Sequence, residues 1–212
     1  MKLYGYWRSS AAYRVRIALN LKKIDVESIP IHLVKNGGEQ HSSEYAKLNP
    51  THLVPTLIDG DLVLNQSLAI LDYLDNKFHE APLYPDDFAE KALVQALTLD
   101  VACEIHPINN LRVQQYLVNE LKCSEQTKLN WSHHWMETGF AAIEEKLVKV
   151  AGLYCFGNTI TIADLCLVPQ VYNANRFNLD MSSFPIINGI VERCNQHPAF
   201  IKALPENQAD AS

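Results

Sequence analysis

The run YWRSSAAYRVRIAL, residues 6–19, constrains this chain more than any other stretch, because it reads as a strand end, a hydroxyl-bearing turn and a helix that carries arginines. At about 100° per residue, Val15, Ile17, Ala18, Leu19 and Leu21 share one broad face of that helix. Arg14 falls inside the apolar arc, whereas Arg16 and Asn20 fall opposite it. A buried guanidinium is costly unless paired, so Arg14 either meets a carboxylate from elsewhere in the chain or lines a pocket. Ser9 and Ser10 precede the helix and are candidate N-caps. At that helix N-terminus the same hydroxyls and backbone N–H groups would also stabilise an anion such as a thiolate.

Charge points the same way. The chain carries a formal charge of −6, yet residues 1–24 hold Lys2, Arg8, Arg14, Arg16, Lys22 and Lys23 with no Asp or Glu. A net negative chain argues against a nucleic-acid partner, while a locally basic turn draws in a small acidic ligand. With 48% hydrophobic and 20% charged residues, 212 residues bury a large core in one domain or two. The N-terminus enters an alternating strand with no apolar leader, and no stretch is long and apolar enough to span a bilayer, so neither secretion nor a membrane partner is expected. Cys103, Cys123, Cys155, Cys166 and Cys194 are odd in number and widely spaced, with no C-x-x-C. They fit a reducing cytoplasm better than a disulfide framework or a zinc site.

The pattern changes near residue 80, where two prolines and a run of acids (HEAPLYPDD) break the periodicity. Residues 1–80 are expected to form a small α/β domain, 81–88 a linker and 89–212 an all-helical domain. In the first part, residues 3–6 and 26–33 read as strands, 56–58 and 62–64 as a hairpin about Asp59-Gly60, and 12–22 and 67–77 as helices. No strand pattern follows the linker, and the polar ending 206–212 is expected to fray.

Further motifs have their own physical readings. Val54-Pro55 places proline at a strand start and biases Val54 toward extended backbone. Gln66-Ser67 opens a helix, and Gly37-Gly38-Glu39-Gln40 reads as a mobile polar loop. Thr161-Ile162-Ala163-Asp164 has the spacing of a capping box, which we assign to folding. His106-Pro107-Ile108-Asn109-Asn110 gathers several donors at a helix start. His133-His134 projects its imidazoles about 100° apart on a helix, without further ligands at metal spacing, so no metal site is expected. G-x-G-x-x-G, P-loop and G-x-S-x-G signatures are missing.

Taken together, SSAAYR with VRIALNLK, LNPTHLVPTL, NQSLAI and TIADLCLVPQV, in that order along nearly the whole chain, resembles the zeta class of the cytosolic glutathione transferases. The resemblance implies an N-terminal thioredoxin-like domain and a C-terminal helical glutathione-transferase domain, with glutathione as cofactor. It implies a cis Val54–Pro55 bond, a catalytic group of Ser9, Ser10 and Arg14, and glutathione contacts from Ser9, Gln40, Val54, Gln66, Ser67, His106 and Asn110. Arg8 and Arg176 are implied to hold a small dicarboxylate substrate.

The implied reaction is glutathione-dependent cis–trans isomerisation of maleylacetoacetate to fumarylacetoacetate, in tyrosine and phenylalanine breakdown, by a cytoplasmic homodimer. Alternatives are maleylpyruvate isomerisation, transfer of glutathione to small halo-acids, and a non-enzymatic binding role on the same fold. Ala11 departs from the motif, which has cysteine there, and Tyr13 replaces its usual tryptophan or histidine. Because glutathione would supply the nucleophile, the isomerase reading does not need a thiol at position 11.

Overall fold

The structure is a computed structural model that describes residues 1–211. The chain forms two compact units, residues 1–82 with 195–212 and residues 83–194. The first is built on strands β1 (Lys2–Gly5), β2 (Glu27–Pro30), β3 (Thr56–Asp59) and β4 (Leu62–Asn65), ordered β2-β1-β3-β4. β1 pairs parallel with β2, and the β3–β4 hairpin joins antiparallel to β1. Helices α1 (Ser10–Leu21), α2 (Ser43–Leu48) and α3 (Ser67–Lys77) complete the α/β part.

Strand alternation divides the side chains between the two faces of the sheet. Leu3 is cross-strand from Leu57, both buried, and belongs to the core with Val15, Ile17, Ile70, Leu71 and Leu74 of α1 and α3. Tyr4 and Tyr6 alternate with Leu3 and join a second cluster around Tyr45 and Val54. The hairpin turns at Gly60, whose φ of +60° is the left-handed conformation that glycine adopts without penalty.

The first unit differs from the sequence expectation in several places. The second strand stops at Pro30 rather than continuing to residue 33, because His32 Nδ1 accepts the backbone N–H groups of Val34 and Lys35 and turns the chain away. A short helix, α2, lies between the expected elements. The C-terminal segment, assigned above to the helical domain and to a frayed end, packs on the first unit instead. Its helix α9 (Pro198–Ala203) lies against α1: Arg16 Nε donates to Ala203 O at 3.1 Å and Asn20 Nδ2 to Ala199 O at 2.9 Å. Asp210 accepts from Trp7 N at 3.0 Å, so the acidic ending is held by a long-range bond.

The second unit is helical, with α4 (Phe88–Leu99), α5 (Leu111–Asn119), α6 (Glu125–Val150), α7 (Ile162–Arg176) and α8 (Pro185–Asn195). α4 runs on into a π-helical segment, Asp100–Ile105. Gly139 allows α6 to approach that segment, since a Cβ there would lie 2.3 Å from Ile105 Cγ1. α7 is buried almost all round, including Asp164, Pro169 and Gln170, as a central helix must be. Thr161 and Asp164 form the capping box, and Asp164 also accepts from Cys155 N at 2.8 Å. Burial raises the Asp164 carboxyl and, still more, the Cys155 thiol. The Glu144 carboxylate accepts from Ile186 N and Ile187 N and so caps α8 from a neighbouring helix. Among the described residues no helix is long and apolar enough to cross a membrane.

Candidate active site

The N-terminus of α1 follows directly from β1, as residues 6–10 anticipate. Ser9 is the N-cap: its Oγ accepts from Ala12 N at 3.2 Å, and Ser10 is the first helical residue, buried. The Ser9 hydroxyl retains its own proton while it accepts, so it can still donate to an anion. Beside it the exposed Arg8 guanidinium lies 4.5 Å above the Trp7 ring and donates to Tyr6 Oη at 3.1 Å. That bracing holds a cation at the turn without neutralising it.

Arg14 is 2% exposed, as its place in the apolar arc requires. Its partner is a hydroxyl rather than a carboxylate: Nη1 donates to Ser67 Oγ at 3.2 Å, while Nε and Nη2 are buried without a hydrogen-bond partner. Ser67 is the first residue of α3, where unpaired backbone N–H groups and the helix dipole favour negative charge. Gln66 before it has φ 67° and ψ 115°, a conformation costly for a residue with a Cβ and found chiefly where function holds it. One buried cation and one helix N-terminus, 53 residues apart in sequence, therefore converge on the same spot.

The Val54–Pro55 peptide is cis. A buried network surrounds it that the sequence does not reveal. Asn49 Nδ2 donates to Leu53 O at 2.8 Å, Tyr45 Oη to the same carbonyl at 2.6 Å, and both contact Thr56 Oγ1. Asn49 Oδ1 accepts from Asn65 Nδ2 at 3.0 Å, which ties the Val54 turn to the residue just before Gln66. Burial raises the Tyr45 phenol. Asn49-Pro50 signals only a turn, and nothing local to it predicts bonding across to Asn65. Gln40, read as part of a mobile loop, is instead buried in a 3₁₀ turn, Glu39–His41, with Nε2 donating to Leu33 O at 3.4 Å and Oε1 unpartnered. The His52 ring nitrogen lies 2.8 Å from Gln40 O.

The helical unit carries the remaining sequence candidates. His106 closes the π-helical segment. Asn110 is the N-cap of α5, with Oδ1 accepting from Arg112 N at 3.2 Å, so capping uses the amide oxygen and not its N–H₂. Arg176 is the last residue of α7, exposed, with its guanidinium 4.9 Å over the Phe177 ring. Among the described residues no group of three His, Cys, Asp or Glu side chains is placed to hold a metal ion.

Comparison with known proteins agrees with this geometry. Residues 1–76 match the family described as glutathione S-transferase, N-terminal domain. The chain is 56% identical to a probable maleylacetoacetate isomerase of Vibrio cholerae, over 99% of this chain and 97% of that one. Among solved structures, a holo maleylpyruvate isomerase, described as a bacterial glutathione S-transferase of the zeta class, superposes with a TM-score of 0.97 at 40% identity, covering both chains completely. A maleylacetoacetate isomerase of Methylobacterium extorquens AM1 with bound malonate and glutathione gives 0.96 at 36% identity, again over both whole chains. An anion-ready N-terminus on each of two helices, within a fold shared over its entire length with these proteins, makes the chain a member of the zeta class of the glutathione S-transferase family.

Proposed function

We propose that this protein is a glutathione-dependent isomerase that converts maleylacetoacetate to fumarylacetoacetate, with its first unit holding glutathione and its helical unit supplying substrate contacts. The observation that carries the reading is the buried Arg14 guanidinium, only partly satisfied, beside Ser67 at the start of α3. A cation left in that condition is a cost to the free protein that an anionic ligand removes.

The residues fit glutathione, a peptide with two carboxylates and a thiol. Ser67, the first amides of α3 and Arg14 would take the γ-glutamyl carboxylate. The Val54 backbone would pair with the peptide as an added strand does. Gln40 and Gln66 would add polar contacts to it, with His106 and Asn110 donating from the helical unit. Ser9, with Ser10 and the α1 N-terminus, would face the sulfur. Held by these residues, glutathione would supply a thiolate for reversible addition to the cis alkene, whose double bond becomes a freely rotating single bond and re-forms as trans when the same thiolate is expelled.

The chain's part is to make that thiolate available and to hold the substrate. A free thiol titrates at about 8.5, so donation from Ser9 and the field of the helix terminus must favour the charged form. A lowering by two pH units corresponds to about 2.7 kcal/mol, within reach of such a cluster. Arg8 and Arg176 would hold the carboxylates of a dianionic substrate and keep the reacting carbons aligned. The malonate-bound relative supports a dicarboxylate in such a pocket. Ala11 places a methyl group where the motif has a thiol, so no cysteine of the chain takes part at that position.

Maleylpyruvate is the second reading, because a maleylpyruvate isomerase superposes as well as a maleylacetoacetate isomerase does, at 0.97 against 0.96. A homodimer accords with exposed Leu62 and Val63 on β4 and exposed Phe88 on α4. Free cysteines accord with a cytoplasmic setting. The test is spectroscopic conversion of maleylacetoacetate with and without glutathione, with maleylpyruvate in parallel. Strictly glutathione-dependent turnover is expected. Glutathione binding without turnover of either substrate would move the reading to conjugation.

A further inference from the structure

One turn of α6 fastens two separate segments of the helical unit. Trp131 Nε1 donates to Ile108 O at 3.1 Å. Next to it the fully buried Ser132 receives Gln114 Nε2 at 3.3 Å, and the same amide nitrogen lies 3.1 Å from Asn109 O. Trp131 thus grips the turn at residues 106–110 directly, and Ser132 reaches it through Gln114 of α5. His133 Nε2 lies 2.8 Å from Phe177 O. A carbonyl only accepts, so Nε2 carries a proton in this contact. Phe177 caps the C-terminus of α7 directly after Arg176, and its ring supports the Arg176 guanidinium.

Residues two apart on a helix project about 200° apart, so Trp131 and His133 reach in opposite directions from one rigid rod. Of the histidine pair, only His133 serves this purpose; His134 is exposed and meets the Trp135 ring edge-on at 4.9 Å. We infer that Trp131, Ser132 and His133 are positioning residues: Trp131 and Ser132 fix the turn that bears the glutathione contacts His106 and Asn110, and His133 fixes the helix end that bears the substrate contact Arg176, so that both are set from a common reference. The inference rests on the proposed roles of those three polar residues. Reaction rates fall steeply with small misplacements of substrate-holding groups. Setting both segments on a single turn of α6 removes the independent motion that would otherwise blur their spacing.

The experiment uses full-length protein carrying His133→Leu or His133→Gln. The substrate KM for maleylacetoacetate is measured at saturating glutathione, and the glutathione KM at saturating substrate. His133→Leu should raise the substrate KM about tenfold while the glutathione KM stays within about twofold. His133→Gln, whose amide nitrogen is as many bonds from Cα as Nε2, should restore most of the loss. An unchanged substrate KM, an equal rise in both KM values, or no rescue by glutamine overturns the inference. Should His133→Leu fail to fold, Trp131→Phe keeps a ring and removes the donor to Ile108, and the opposite split decides: the glutathione KM should rise while the substrate KM stays within about twofold. Arg176→Ala run alongside separates the two claims. If it leaves the substrate KM unchanged, the proposed site fails; if it raises that KM while His133→Leu does not, the positioning inference alone fails.

Discussion

Lys22 and Arg14 are both cations, both belong to the α1 region and are almost completely buried, and they are treated in opposite ways. Lys22 Nζ meets Asp75 Oδ1 at 2.7 Å and the carbonyls of Phe78, Glu80 and Ala81 at 2.8 to 3.2 Å. Its charge is neutralised and its protons are used, and in return it ties the end of α1 to the end of α3 and to the chain leaving it. Arg14 has five N–H groups, and the contact shown for it is a neutral hydroxyl. The first cation is a structural staple. The second is an unfinished interaction, which fits its proposed place at the glutathione carboxylate.

Removing each charge sharpens the contrast. Lys22→Met should cost about 3–5 kcal/mol in urea unfolding, because it leaves a carboxylate and three carbonyls facing a thioether. Glutathione affinity of the folded fraction should hardly change. Arg14→Met should act in reverse: stability constant or raised by about 1 kcal/mol, and glutathione affinity by titration calorimetry lowered about tenfold to a hundredfold. If Arg14→Met unfolds the protein as readily as Lys22→Met, the distinction collapses and Arg14 is a structural residue.

The two cations also mark how far the sequence can be read. Arg14's place on an apolar face follows from helical period, and Ser9's cap from its position at the start of that pattern; both are local. The Asp59-Gly60 hairpin and the Thr161–Asp164 box are local too, and each forms where expected. What decides whether a buried cation is satisfied is the identity of residues 53 positions away, Asp75 for Lys22 and Ser67 for Arg14, and no periodicity carries that information. The same reason hid the C-terminal packing, where a polar ending finds Trp7 N across almost the entire chain. Helix α2 leaves no such signal, because six residues are too few to display a period. The glutathione-site candidates came mostly from family resemblance, whereas the network around Val54 and the grip of Trp131 and His133 emerged only with the fold.

Ser9 lies between the two extremes, since its one oxygen caps α1 and, in the proposed function, also donates to the glutathione sulfur. Ser9→Ala removes the cap to Ala12 N and should cost about 1 kcal/mol. It should also slow isomerisation at neutral pH and shift the rise of kcat/KM with pH toward higher values, because the thiol loses a donor that favours its charged form. Activity should partly recover as pH increases. A pH profile that keeps its midpoint would confine Ser9 to capping and sink its proposed role at the sulfur.

The smallest effect belongs to a second Asp–Lys pair in the same unit, on its surface. Lys77 and Tyr73 both donate to Asp59 Oδ2, and the Lys77 bond first, then that of Tyr73, holds the Asp59 carboxyl below the usual range. A depressed carboxylate stabilises the folded state above its unfolded pKa and loses that contribution as pH falls through the folded value. The pair is open to solvent, with 42% of the Lys77 side chain exposed against none for Lys22. Water and salt therefore screen it. Asp59→Asn should lower the melting temperature slightly at pH 7 and not at all in strong acid, and high salt should erase the difference. A loss comparable with that of Lys22→Met would mean that neither burial nor the number of oxygen partners around a cation sets what a lysine contributes here.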